Sequence, residues 1–370
     1  MASSLIVDVC EVKEVRNHSN ADRLDLCVIK GWQVVTGRDQ YEVGDIVVFI
    51  PPDTIVPGEL ADKLNIRNYL GGQDKTRVKT VRLRGEMSFG LVINVPEDKD
   101  WEVGYNCADD LGILKYDPPM RATAGDSAPE DALFVRYTNI ENIRNFPNVF
   151  EEGERVVATE KIDGSNVRIG KGISITEDGI EILEWKAGSH KLKRKRPDEE
   201  GMKGNIYWYP YNLIGVRAMV ENMIVKGPYK EVTLYGEIYG RVRGGHKSLH
   251  YGQPNSLNFV AFDIKFDGDY LKYSAFKSIC DFYDIPTAPI VAEFDFSLEK
   301  AKEFSTGNSL LAEKNGMENP HMREGIVIKP LKERRDPACG RVAVKFLNDD
   351  YILLKNKAYD KGEVTDFTDE

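Results

Sequence analysis

The sequence predicts an α+β protein with antiparallel sheets: a small N-terminal β-barrel, then a larger domain of β-runs flanked by a few helices. Three observations carry that prediction. Short β-like runs crowd residues 5–50, namely LIVDVCEV, LDLCVIKGWQVVTG and DIVVFIPP, punctuated by Asn, Asp and Gly, and a barrel is their natural closure. DPPMRATAGDSAPEDA (residues 117–132), rich in Pro, Ala and small polar residues, then reads as a linker. Beyond it, β-rich runs at 155–160, 166–185, 231–239, 257–266, 324–330 and 341–346 interleave with helical stretches at about 210–225, 274–283 and 297–305.

The 370 residues suit two domains at ~100–200 residues each. The expected division is 1–116 for the barrel, 117–132 for the linker and 133–370 for the second domain. At the head of the second domain, TNIENIRNFPNVF places Ile140, Ile143 and Phe146 at helical spacing, with Thr138 or Asn139 as cap and Pro147 as stop. The acidic end GEVTDFTDE reads as a frayed tail.

Hydrophobic content of 41% and charged content of 30% exclude a disordered or fibrous chain. No run approaches the ~20 apolar residues a membrane span needs, and Glu11 and Lys13 arrive before any signal-like stretch. A cytoplasmic protein, or one of the nucleus or of a phage-infected cell, is expected, neither secreted nor membrane-bound. The five cysteines, Cys10, Cys27, Cys107, Cys280 and Cys339, lack CxxC pairing and His neighbours at zinc spacing, so they read as reduced structural thiols. A net charge of −10 argues against an indiscriminate polyanion binder. Any phosphate ligand must meet local positive charge. One such cluster exists at Lys186, His190, Lys191, Lys193, Arg194, Lys195 and Arg196, a pattern shared by solvated loops and nucleic-acid grooves.

The sharpest motif is RVVATEKIDGSNVRIG (155–170), in which an apolar strand delivers Lys161 into a tight turn at Asp163 and Gly164. Alone, a lysine before a D-G turn is an ordinary surface residue. Further elements follow in order: TLYGEIYG with Glu237 between apolar neighbours, NFVAFDI (258–264), REGIVIKP with Glu324 at a strand start, and RVAVKFLNDDY with Lys345 in an apolar strand.

This ordered set, over residues 133–357, resembles the covalent nucleotidyltransferase superfamily of ATP-dependent ligases and RNA-capping enzymes, and within it the RNA ligases. HSNADRLDLCVI, VGDIVVFI and KTVRLRGEMSFGLVI resemble the oligonucleotide-binding (OB) barrel of tRNA-binding modules. An OB barrel in front narrows the resemblance to the branch typified by the Deinococcus and Naegleria RNA ligases. The resemblance implies an N-terminal OB-type β-barrel followed by an adenylyltransferase domain. It also implies an ATP-dependent monomer that seals 3′-OH/5′-phosphate RNA ends in RNA repair, nicks in duplexes foremost.

By this resemblance Lys161 is the nucleophile that takes AMP from ATP, and the AMP then passes to the RNA 5′-phosphate. Glu237 and Glu324 hold a hydrated Mg²⁺ or Mn²⁺, with Asp163 orienting its water. Glu237 also reaches the ribose hydroxyls. Lys345 contacts the α-phosphate, with Lys329 as a second cation that a strand-end reading would leave exposed. Phe259 supplies the aromatic face for adenine, with Phe262 as the alternative. Glu160 receives no side-chain role. Asn166 matches a position used when the AMP–RNA intermediate is sealed.

Two departures stand out. Leu347 occupies the place of a second lysine two residues after Lys345, so either another cation substitutes, with Lys355 and Lys357 as candidates, or this branch manages with one. The family's phosphate-binding arginine has no clean match either, and WKAGSHKLKRK offers Lys186, His190 and Lys191 as RNA contacts in its place. The rival readings are a GTP-using capping guanylyltransferase or a DNA ligase, and an inactive RNA-binding OB/transferase-like protein. The first two append a barrel after the last motif, and residues 346–370 offer no room for one.

Overall fold

The structure, a computed structural model, describes residues 5–72, 74–117, 126–129, 131–176, 178–202, 205–240 and 250–360, with 356–360 described as backbone only. The chain forms two compact units. The first contains the N-terminal residues through 117, residues 143–147 and the part of the final helix beyond Tyr351; the second contains the remainder through Tyr351.

In the first unit, Ile46–Ile50 lies between Asp8–Glu11 and Leu91–Asn94, antiparallel to both. Its apolar run IVVFI is explained by burial on two sides. Val48 and Ile50 join one core with Val9, Val56 and Val78, while Val47 and Phe49 join another with Cys27, Ile29 and Trp32. A second sheet is a meander of Glu14–Asn17, Leu24–Ile29 and Trp32–Gly37. Its last hairpin turns through Lys30 (φ 52°) and Gly31 (φ 81°), the pair of left-handed conformations that a two-residue type I′ turn requires.

Helical spacing over 138–146 does not produce an α-helix. Glu141–Asn142 is a strand parallel to Val344–Leu347, and Ile143–Asn145 is one 3₁₀ turn. Residues 143–147 are drawn into the first unit, where Arg144 lies over Trp32 (5.0 Å to the centroid) and Phe89 (4.7 Å). Cation–π and sheet contacts at separate points override the local periodicity.

The second unit holds two large sheets and a two-stranded one of Arg335–Asp336 with Gly340–Arg341. The six-stranded one runs in the order Lys193–Arg194, Glu181–Gly188, Ser165–Ile175, Val232–Gly240, Leu257–Phe266 and Asp269–Tyr270. Helices Ile214–Val225 and Tyr273–Phe282 cover one face, where Val216, Met219 and Phe276 pack against Val167, Ile169, Leu234, Ile238 and Ile264. The five-stranded sheet orders Glu141–Asn142, Val344–Leu347, Gly325–Pro330, Arg155–Glu160 and Ile290–Asp295. Both large sheets are antiparallel apart from the Glu141–Asn142 pairing, as the sequence predicts.

Several boundaries move. The run read as 166–185 is a hairpin turning at Thr176–Ile180, and the strand Ile290–Asp295 and the helix Asp349–Asp360 were not foreseen. The described end of the expected linker is fastened to the six-stranded sheet: Asp126 pairs with Arg194 at 2.8 Å, and Asp131 pairs with Lys186 at 2.8 Å and Lys193 at 3.1 Å. Residues 126–132 therefore belong to the second unit, while 118–125, 130 and the acidic tail lie outside the described residues. All five cysteines are free and four are buried. No described helix is long and apolar enough to cross a membrane.

Candidate active site

Lys161 leaves the end of the Arg155–Glu160 strand with its own N–H donating to Gly325 O (3.0 Å), so it stands directly opposite Glu324–Gly325. Its Nζ donates to Glu324 Oε2 at 2.8 Å. The lysine side chain is 27% exposed and the glutamate 9%, so a ligand reaches the amine before it reaches the carboxylate. The turn that follows cannot tolerate a larger residue. A Cβ on Gly164 would lie 2.2 Å from Ile238 O and 3.1 Å from Glu237 Cγ, and this close approach sets the Lys161 turn against the Glu237 strand.

Two tyrosines hold Asp163. Its N–H donates to the Tyr251 hydroxyl at 2.7 Å, and the Tyr351 hydroxyl donates to its Oδ2. Burial, with the nearby Asp163 and Glu324 carboxylates, pushes the Tyr351 phenol far above its ordinary pKa, so it remains a donor. In the neighbouring strands Asn166, Glu237 and Val260 are direct cross-strand partners and share one face, the face away from the helices. Asn166 Oδ1 is buried and finds no hydrogen-bond partner among the described residues. On the other sheet Thr159, Val327 and half-buried Lys345 are cross-strand partners on one face. Glu160, with the opposite parity, turns away and accepts the Leu311 N–H at 2.9 Å.

Phe259 is a correction. It pairs with Ile238, one residue out of phase with Glu237, and is 3% exposed in the core beneath the helices. A Cβ on Gly236 would lie 2.1 Å from its ring. It therefore faces away from Lys161's partners and offers no surface to adenine. The alternative, Phe262, is the extra residue of a bulge: Gly236 pairs with Ala261 and Tyr235 with Asp263, leaving Phe262 unmatched. Its ring is half-buried and edge-on to Tyr137 at 4.8 Å.

Lys329 is a second correction, being neither a free strand-end charge nor open to a phosphate. Its Nζ donates to Phe262 O (2.8 Å) and Asp263 Oδ2 (2.7 Å). Arg341 reaches the same carboxylate oxygen at 2.7 Å and pairs with Glu333. Burial alone would raise the Asp263 pKa, yet Lys329 and Arg341 hold it below the usual value. Buried charge is tolerated here because the partners balance.

The basic cluster divides. Lys186, 2% exposed, donates to Ile173 O and pairs with Asp131, so the structure withdraws it from any RNA contact. Lys193 and Arg194 are likewise committed to the segment at 126–131. Half-buried His190 and Lys191 remain at the edge of the sheet, with His190 Nε2 3.2 Å from Asn139 Oδ1. Burial, reinforced by Arg168, Arg136 and Lys191, lowers the His190 pKa to about 4. Arg196 is exposed and lies over Trp208 and Tyr211. Leu347 sits opposite Gly325, Lys355 is exposed, and the Lys357 side chain lies outside the described residues.

The structure thus sets Lys161 on Glu324 and the Lys161–Gly164 turn against Glu237. Among the described residues no three His, Cys, Asp or Glu side chains form a ready-made metal cage. Asp163, Glu237 and Glu324 instead suit a cation that keeps most of its water, which is the habit of Mg²⁺. Tyr351 and Tyr251 had no sequence signal, since a tyrosine's reach to Asp163 depends on tertiary placement.

Two family models match the chain: RNA ligase over residues 154–347, and an OB-fold domain, PHA02142, over residues 6–95. The fold expected from the sequence, an OB-type barrel before an antiparallel nucleotidyltransferase-like domain, is borne out. No curated protein matches. Among solved structures, an RNA ligase variant of Naegleria gruberi with ATP and Mn is 21% identical, with a TM-score of 0.70 over 95% of this chain and 98% of that one. An apo variant of the same ligase gives 0.73 at 21% identity over 95% and 98%. The Naegleria gruberi ligase with pyrophosphate gives 0.71, again at 21% identity over 95% and 98%.

Proposed function

From the premise that the chain belongs to the RNA ligase family, we propose that it uses ATP to seal 3′-OH/5′-phosphate RNA ends, nicks in duplexes foremost, through adenylylated Lys161. The observation that carries this reading is the Lys161 amine, partly exposed and hydrogen-bonded to Glu324 at 2.8 Å, beside a turn pressed onto the Glu237 strand. Naegleria gruberi relatives of the same fold, solved with ATP, AMP and Mn, support the choice of nucleotide and metal.

A protonated amine is no nucleophile, because its lone pair is held in the N–H bond. The lysine must be parted from Glu324 and deprotonated before its nitrogen bonds to the α-phosphorus and pyrophosphate leaves. A bound Mg²⁺ or Mn²⁺ would supply positive charge that favours the neutral amine and balances the phosphate oxygens. Glu324 and Glu237 would hold that hydrated ion, and Asp163 would orient its water. Lys345 would meet the α-phosphate oxygens, and Phe262 the adenine. When the AMP moves to the RNA 5′-phosphate, Asn166 would engage the intermediate, and His190 and Lys191 the RNA backbone.

Incubation with [α-³²P]ATP and Mg²⁺ is expected to leave alkali-stable, acid-labile and hydroxylamine-labile label on the wild type, as a phosphoramidate requires, and none on Lys161→Ala. An unlabelled wild type would sink the proposal in favour of a binding protein, and label from GTP would favour a capping-type enzyme. A sealing assay on nicked duplexes with RNA or DNA at the 3′-OH side then tests the substrate, with strict need for RNA expected.

A further inference from the structure

The segment after Lys345 does more than end the sheet. Asn348 donates its N–H to Glu324 O (2.9 Å) and its Nδ2 to Arg323 O (3.2 Å), while its Oδ1 accepts the Asp350 N–H (3.1 Å) at the start of the helix Asp349–Asp360. One helical turn on, the Tyr351 hydroxyl reaches Asp163 Oδ2. The segment 348–351 is therefore fastened at one end to the backbone of Glu324 and at the other to the carboxylate of Asp163. It spans two acids that no strand pairing connects directly. Tyr251, packed at 4.7 Å on His321, holds the Asp163 backbone from another direction.

We infer that Tyr351 is a positioning residue, which fixes the Asp163 carboxylate at a set distance from Glu324 so that the two present oxygens to one hydrated divalent cation. The inference rests on the reading of Asp163 and Glu324 as cation-holding groups. A carboxylate on a turn swings about two side-chain torsions, and a phenol bonded to one oxygen removes that freedom. Because the phenol rides on a helix anchored through Asn348, the restraint is referred to Glu324 and not to solvent. Partners of this outer kind typically change metal affinity by ~10–100-fold when removed.

The test is Mn²⁺ binding followed by electron paramagnetic resonance in the presence of AMP, which carries no leaving group and cannot adenylylate the lysine. Tyr351→Phe is expected to weaken Mn²⁺ binding about tenfold. It should also raise the Mn²⁺ concentration for half-maximal lysine adenylylation by the same factor, with KM for ATP at saturating Mn²⁺ unchanged. Thermal melting identifies any general loss of structure, and the double variant Tyr351→Phe/Asp163→Asn should bind Mn²⁺ no more weakly than Asp163→Asn alone. Wild-type affinity in Tyr351→Phe while Asp163→Asn and Glu324→Gln lose binding would overturn the inference and leave the cation site standing. Additive losses in the double variant would overturn it equally. Unchanged affinity in Asp163→Asn and Glu324→Gln would overturn the cation site and the inference together.

Discussion

Phe262 and Phe259 stand three residues apart in one strand, and a single unmatched residue decides which can meet a ligand. By strict alternation, the aromatic after the asparagine of NFVAFDI is as good a candidate as the one before the aspartate. The bulge opposite Tyr235 and Gly236 breaks the alternation, and no residue type announces it. Phe259→Ala is expected to cost about 3–5 kcal/mol of stability in chemical denaturation, because the ring is core. Phe262→Ala should leave stability nearly intact and raise KM for ATP about three- to tenfold, the value of one aromatic stack. The reverse pattern would return the adenine contact to Phe259. Lys329 shows the same limit from the side of charge. Its identity was legible, but its burial against Asp263 follows from the meeting of two sheets. The placement of Lys161, Asp163, Glu237, Glu324 and Lys345 was easier to read, since each sits in a short string whose local geometry keeps it at a strand end, in a turn or on a sheet face.

Strands and hairpins were legible where chemistry forced the backbone. Lys30–Gly31 ends one strand and starts the next because both residues take φ > 0, and the apolar run of Ile46–Ile50 marks a strand buried on two sides. The segment 138–146 was misread because its contacts are divided between two units. The basic stretch was misread because the acids that neutralise it, Asp126 and Asp131, lie about sixty residues earlier. What remains of that stretch at the sheet edge yields a pH dependence. His190 titrates near pH 4 folded against an ordinary 6.5, so the unfolded chain binds the extra proton between these values. Its neutral form supports the fold fully above pH 6.5, and that support declines as pH falls toward 4. The melting temperature of the wild type should therefore fall more steeply from pH 7 to pH 5 than that of His190→Asn. Parallel curves would show that the imidazole gains its proton without opposition.

At the scale of the whole molecule, a chain of net charge −10 works on a polyanion by local arrangement and not by bulk attraction. The barrel is the part with a nucleic-acid-binding resemblance and the second unit is the part with the lysine. Removing residues 1–117 is accordingly expected to reduce sealing about tenfold or more, while the folded fraction still labels Lys161, as read by [α-³²P]ATP incorporation beside a nick-sealing assay. Equal loss of both activities would show that the barrel is needed for the first chemical step.

The path of the chain adds a condition on how this protein is made. Arg144 lies over Trp32 and Phe89, and the stretch 143–147 groups with the barrel, as does the last helix beyond Tyr351. A ribosome delivers the barrel's strands first, yet their partners emerge only after a further span of polypeptide, and the last of them only after residues 148–351. The nascent barrel must wait with Trp32 and Phe89 incompletely covered, a stage at which its newly made surface is open to aggregation.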